Sequence, residues 1–261
     1  MFVSAHGMWL ILFGFFPAIL AAASEAGFRL GRKAESRTTE KTKSELGAVE
    51  GGILSMLGLL LGFTMSMAVT RFEVRKQLVL DEANAIATSY LRTRLLPAPE
   101  SRDIANLLRE YVAVRLQYAA VVDDFDRLQA KREQAARLQN EFWTRAVTYA
   151  QKDPSPVKAE SLLQSLNQVI DLESARWMAF QNHVPRTVIY VNYIVAIYCN
   201  YLGGICFRTR GSAPSLLHVH VGPRDHGSTC LIVDLDQPRQ GFIRGSQQPL
   251  VDLQHLLTSK Q

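Results

Sequence analysis

Three stretches of the chain carry no Asp, Glu, Lys or Arg: 1–24, 51–70 and 187–207. A helix needs about 20 predominantly apolar residues to cross the hydrocarbon core of a bilayer, and each stretch approaches or exceeds that length. The pattern predicts a first span over 2–23 and a second over 48–70, together a hairpin covering 1–70. Between the second and third stretches, residues 71–185 hold 16 basic and 15 acidic side chains, the balance of a solvated helical domain. A second hairpin is expected over 186–235, with 236–261 left as a C-terminal tail. The fold class that follows is all-α: a multi-span membrane protein whose two transmembrane hairpins flank a domain of long helices.

Within the second span, small residues recur every three or four positions, at Gly51, Ser55, Gly58, Gly62, Ser66 and Thr70. That spacing sets them along one helix face, where a neighbouring helix can approach closely or a pore can run. No proline stands between Pro17 and Pro97, so the helix is expected to continue to Leu96, about 73 Å from Ala48 at 1.5 Å per residue. The connection before it, "EAGFRLGRKAESRTTEKTKSELG", reads as solvated loop. After "PAPE", Ser101 can cap a further helix. Leu107, Tyr111, Val114, Tyr118, Val121, Phe125 and Leu128 then step by four and three, a coiled-coil-like seam. The seam resumes at Phe142, Ala146 and Tyr149 and stops at "KDPSP". Another helix is expected from Val157 to about His183.

The second hairpin is anomalous. "TVIYVNYIVAIYCNYLGGICF" can span, although Asn192 and Asn200 make it poor hydrocarbon. Arg208, Arg210, Arg224 and Asp225 bar the segment after it from crossing, since each charge at mid-bilayer costs roughly 2.5–3.5 kcal/mol. All three cysteines (Cys199, Cys206, Cys230) and three of the six histidines (His218, His220, His226) crowd into this region. A one-nucleotide shift of its codons permits two apolar spans with a short turn, which suggests a compensated frameshift over about 198–230. Read literally, His-x-His-x5-His-x3-Cys matches none of the usual zinc spacings, and Gly222 and Pro223 would interrupt a helix presenting it.

Charge and chemistry narrow the function classes. The net charge of +5 is spread along the chain and forms no nucleic-acid face. No phosphate loop, nucleophile elbow or metal triad occurs, so no enzyme and no cofactor are expected. "AILAAASEAG" offers small residues like those of a cleavage site, but the chain start lacks the positive charge of a signal peptide, and a retained span is expected. Phe63, Met67 and Thr70 fall on one side of the second span, as an apolar constriction or as packing. Arg71, Glu73 and Arg75 are charges at the membrane exit, drawing anions or anchoring the helix among headgroups. Asp81, Glu82 and Asn84 on the extension suit an interfacial network more than a ligand site. Asp234 and Asp236 have oxygens that suit calcium, but two carboxylates fall short of its usual shell. His183 reads as structural.

The long second helix, "LGLLLGFTMSMAVTRFEVRKQLVLDEANAIATSYLRTRLLP", resembles the bacterial bestrophin-like domain family. The likeness continues through "LLREYVAVRLQY", "LNQVIDLESARW", "HVP" and "LIVDLDQPRQGFIRGSQQPLVDL". It fails between Tyr198 and Cys230, where the family would have an apolar hairpin. The resemblance implies the plan of bestrophin anion channels: homopentamers whose second span lines a pore. The spacing of Phe63, Ala68, Arg71 and Arg75 in "FTMSMAVTRFEVR" is similar to that of the bestrophin pore helix, without its Trp pair and denser aromatic pattern. The expected function is an oligomeric ion channel, for anions by this likeness, in a bacterial inner membrane; the rival is a non-conducting scaffold or regulator that binds a partner through the helical domain. The expected partners are the lipid bilayer, further copies of the chain and inorganic ions, with no nucleic acid. The basic residues of the loops do not decide orientation, and the resemblance favours a cytoplasmic middle domain.

Overall fold

The computed structural model describes residues 14–121, 124–152, 156–209, 221–237, 243 and 245–259. Among the described residues there are eight α-helices and no strand: α1 (Phe16–Ala34), α2 (Glu40–Thr93), α3 (Glu100–Gln117), α4 (Phe125–Ala150), α5 (Pro156–Gln181), α6 (Arg186–Thr209), α7 (Val221–Asp236) and α8 (Gln248–Thr258). Among the described residues two stretches are long and apolar enough to cross a membrane: α2, and Val157–Thr209, whose charge-free run 187–207 lies in α6. The chain divides into two compact units, Met1–Thr70 with His183–Gln237 and Arg71–Asn182 with Pro238–Gln261. Helix α2 supplies residues to both.

In the first unit α1 runs parallel to α6, with Phe16 against Tyr193 (ring centroids 4.3 Å apart) at one end and Gly31 against Arg208 at the other. Glycines make this crossing close. A Cβ on Gly27 would stand 1.9 Å from the Tyr201 carbonyl oxygen, and one on Gly204 would stand 2.2 Å from that of Ser24. The solvated loop expected after Ala23 is therefore helix as far as Ala34. The physical reasons are that packing of Gly27 and Gly31 on α6, and a Glu25–Arg29 pair one turn apart at 2.7 Å. The crossing ends on an Arg208–Glu35 ion pair at 2.7 Å. Helix α2 packs antiparallel to α6 through Leu57, Ala196 and Cys199. The asparagines that weakened α6 as a span turn inward. Asn192 donates to the Thr64 hydroxyl at 2.9 Å, and Asn200 donates to its own helix at the Ala196 carbonyl.

Helix α2 begins at Glu40 and ends at Thr93, eight residues earlier and three earlier than the pattern suggested. Its 54 residues extend about 81 Å at 1.5 Å per residue. In the second unit its C-terminal part packs with α3, α4, α5 and α8 around Ile86, Ile104, Leu108, Tyr111, Phe142 and Leu166. The seam from Leu107 to Leu128 is not one helix. A 3-10 turn at Tyr118–Ala120 ends α3, and Phe125 is exposed. Asp124 explains the restart, because its side chain accepts the Arg127 N–H at 3.1 Å and caps α4. The segment set apart as a tail contains α8, whose Leu250, Leu253 and Leu257 are buried in this unit. Gly222 and Pro223 do not interrupt a helix; they occupy the first turn of α7, where a proline loses no hydrogen bond.

The two glycines of α6 provide a paired test of the crossing. Gly204→Ala should lower the thermal midpoint of the detergent-purified protein, because the methyl meets backbone atoms of α1; overpacking of this kind costs about 1–3 kcal/mol. Gly203→Ala, whose methyl meets only the end of the Glu50 side chain at 3.3 Å, should leave the midpoint in place.

Candidate functional site

Two faces of α2 hold the residues that the sequence singled out. In the first unit, Leu57, Thr64 and Ala68 are buried against the protomer's own helices. The opposite face carries Gly58, Gly62, Phe63, Ser66 and Thr70, all exposed, with Met67 half-buried beside them. Among the described residues, nothing beyond the helix's own neighbouring backbone lies within 4 Å of a Cβ built at Gly51, Gly58 or Gly62, and Phe63 is 65% exposed. The hydroxyls of Ser55 and Thr70 are satisfied one turn back, at the carbonyls of Gly51 and Ser66. This face, which also carries the exposed Leu59, is polar only in its own helix bonds and is covered by none of the described residues.

The exit charges do not act as a group. Glu73 pairs with Lys76 at 3.6 Å on the surface. Arg71 is half-buried, with one terminal nitrogen sealed from solvent, and Arg75 lines an internal cavity. Asp81 accepts a hydrogen bond from Gln77, one turn back, at 2.8 Å, and Asn84 is exposed.

Glu82 has a different surrounding. Its side chain is fully buried, and Arg115 of α3 grips it in two places, Nε–Oε1 at 2.7 Å and Nη2–Oε2 at 3.1 Å. Arg176 of α5 donates to the same carboxylate through Nη1. The Tyr111 hydroxyl donates to Oε1 at 3.0 Å and accepts in turn from the Gln139 amide at 3.2 Å. Glu173 lies 3.5 Å from Arg115 and 3.6 Å from Arg132, and Arg132 is stacked 4.3 Å above the Trp177 ring. Burial alone would raise the Glu82 carboxyl, but the Arg115 and Arg176 guanidiniums outweigh it and hold it below the ordinary value of 4.5. Burial pulls the Arg115 guanidinium pKa down, but Glu82 more than reverses that and holds it above its ordinary value. Burial, reinforced by Glu82, raises the Tyr111 phenol well above its ordinary value and keeps it a hydrogen-bond donor. The arrangement can hold charge and position helices; it presents no nucleophile and no general base to a substrate.

The sequence reading flagged Glu82 and missed Arg115, Glu173 and Arg176. The signal was present: Arg115 continues the buried row Ile104, Leu108, Tyr111, and Glu173 continues Leu162, Leu166, Val169. Asp234 and Asp236, the calcium candidates, are buried in the last turn of α7 rather than beyond it. The Asp236 carboxylate accepts the Val184 N–H at 2.8 Å and faces His183 Nδ1 at 3.3 Å, which gives His183 its structural place. No group of three or more metal-ligating side chains occurs among the described residues. His218 and His220 lie outside the described residues, as does the middle of the suspected frameshift; of the His226 side chain nothing is described. Cys199, Cys206 and Cys230 are buried and in no disulfide among the described residues.

With this geometry the chain matches a family model described as Bestrophin-like domain over residues 18–250. Its fold is similar to that of a bacterial bestrophin homologue from Klebsiella pneumoniae, seen in several mutant structures. One gives a TM-score of 0.66 at 16% identity, covering 95% of this chain and 98% of that one. A second gives 0.64 at 15% identity, covering 94% and 93%, and a third 0.63 at 16%, covering 92% and 98%. No curated protein matches the chain.

The cluster yields an acid-stability test. A carboxyl held below its unfolded value contributes stability above that value and loses it as pH falls through the folded one. The second unit should therefore lose stability below about pH 4.5, read by proteolysis within 71–182. Glu82→Gln should remove most of that acid dependence. It should also destabilise the unit by roughly 3–5 kcal/mol at neutral pH, because two guanidiniums lose their buried partner.

Proposed function

The chain belongs to the bestrophin-like family, and from that membership we propose that it assembles into an oligomeric membrane channel passing small inorganic anions. It acts by passive permeation, with no cofactor and no covalent chemistry. The observation that carries this reading is the outward face of α2. A helix apolar enough to span packs one side into its own chain and leaves Gly58, Gly62, Phe63, Ser66 and Thr70 uncovered by the described residues. Such a face fits a neighbouring subunit or a water-filled axis better than lipid alone, because small residues forgo the dispersion contacts that lipid-facing leucines make. In this reading α1 with α2 and α6 with α7 are two transmembrane hairpins. The second unit is the soluble helical domain, on the cytoplasmic side of a bacterial inner membrane.

The outward position of Phe63 supports a hydrophobic gate, with Met67 and Thr70 completing a constriction that closes by dewetting. Arg71 stands next along the helix, where a positive charge raises the local anion concentration. The scaffold reading draws on the same face: if it is filled by packing between copies, the oligomer is closed and the helical domain serves a partner.

Reconstitution separates the two. Proteoliposomes should release chloride faster than empty vesicles, and oligomers that release neither halide nor cation would leave the scaffold reading standing. Gly62→Leu refines the outcome. An unchanged oligomer with altered chloride release places position 62 on the conduction path, whereas loss of the oligomer on size-exclusion chromatography makes it a packing residue.

A further inference from the structure

The apolar cluster that joins α1, α2 and α6 contains Leu57 of α2, with Ile53 and Leu61 packed against it. Among the described residues it takes nothing further along α2. The next inward positions are Thr64 and Ala68, 2% and 0% exposed, which offer little apolar bulk. Phe63, Met67 and Thr70 stand on this same stretch, where leucine packing no longer sets how the helix is turned. What meets Thr64 is Asn192 of α6, itself 3% exposed.

The bonding pattern fixes the orientation of that amide. The Thr64 hydroxyl has one proton, and it goes one turn back to the Leu60 carbonyl at 2.7 Å. Its oxygen is left to accept. The Asn192 amide nitrogen donates to it at 2.9 Å and to the Val188 carbonyl at 3.1 Å. Reversing the amide would set its oxygen against two acceptors. Asn192 Oδ1 is buried without a donor among the described residues. A pair that leaves an acceptor unanswered adds little net stability, because an unpaired buried group costs about what a hydrogen bond contributes. What the pair supplies is direction, since the Thr64 oxygen meets the amide at one setting of α2 about its axis.

Resting on the channel reading, we propose that Asn192 is the positioning residue of the Phe63 gate. Its amide holds the Thr64 hydroxyl and so turns Phe63, the adjacent residue about 100° round the helix, toward the channel axis. Leu59, Leu60, Leu61, Met65, Met67 and Val69 make this stretch apolar on every side. Without the bond, other settings bury similar surface, and Phe63 leaves the constriction.

The test reads the setting of α2 directly. Phe63→Cys protein in liposomes is treated with a charged, membrane-impermeant methanethiosulfonate, and protein that keeps Phe63 gives the background from Cys199, Cys206 and Cys230. The thiol at position 63 should react readily with native Thr64 and with Thr64→Ser, which keeps the hydroxyl. Thr64→Val and Asn192→Leu should each slow the reaction at least fivefold. With Phe63 retained, each should raise chloride release at least threefold. The double variant T64V/N192L should keep the oligomer and hold the thermal midpoint within a degree or two, because apolar groups of similar shape replace both partners. Equal reaction rates in the folded variants, a Thr64→Ser protein that behaves as Thr64→Val, or loss of the oligomer in every variant would overturn the proposal. Equal rates in a protein that releases chloride sink this positioning role alone. A position 63 that reacts in no background, with no chloride release, sinks the channel reading and this role with it.

Discussion

A carboxylate without water must be answered on every side, and Glu82 is the point where the second unit meets that demand. Helical packing by apolar stripes is permissive: leucines and valines on two helices accept neighbouring registers at similar cost. The bonds to Glu82 are directional and come from different helices. Arg115 and Tyr111 reach it from α3, Arg176 from α5, and Gln139 of α4 joins through the Tyr111 hydroxyl. Sliding α3 or α5 by one turn would leave at least one charge buried without a partner, which costs several kcal/mol. The cluster thus selects one register from those the apolar core would tolerate. The core of Ile86, Leu108, Phe142 and Leu166 then supplies the bulk of the stability, at about 1.5–3 kcal/mol for each fully buried side chain.

The first unit solves the same problem by other means. Here the buried polar groups bond within a helix or to a single neighbour: Asn200 and Thr209 donate within their own helix, Asn192 donates across to Thr64, and Asp236 accepts the Val184 N–H. Specificity comes instead from shape. Gly27, Gly31 and Gly204 let the backbones of α1 and α6 approach until a single methyl would collide with a carbonyl oxygen. In a medium where the hydrophobic effect cannot favour one helix contact over lipid, close backbone approach is the available source of association energy.

How much of this the amino-acid order discloses depends on the physics behind each feature. Apolar length is local, so α2 and α6 were legible from the charge-free runs alone. The division of the middle into long helices was also legible, as was the end of α5 before "HVP". The break between α3 and α4 was not, because the four-three spacing continues through Val121 and Phe125. What interrupts it is the capping chemistry of Asp124, a competing local signal that periodicity does not weigh. The helical extension of α1 was hidden for the opposite reason. Its charges suggested solvent, while Gly27 and Gly31, one turn apart, marked the packed face.

The candidate site shows the same asymmetry on a finer scale. The small outward face of α2 was visible as a spacing, since every member lies on one helix. The ion cluster was not, because its charges sit on three helices and each looks solvated in its own segment. Yet each of these charges violates the pattern around it, occupying a position that the apolar row reserves for a core side chain. A charge in such a position either breaks the helix or meets its opposite inside, and a unit with Glu82 on one row needs cations on the facing rows. Read this way, Arg115 on the row of Ile104, Leu108 and Tyr111 is the partner that Glu82 requires. The same logic divides the exit charges. Arg75 and Lys76 line the cavity with Phe72 and Val79, while Val74 is exposed and Glu73 stays on the surface as the partner of Lys76.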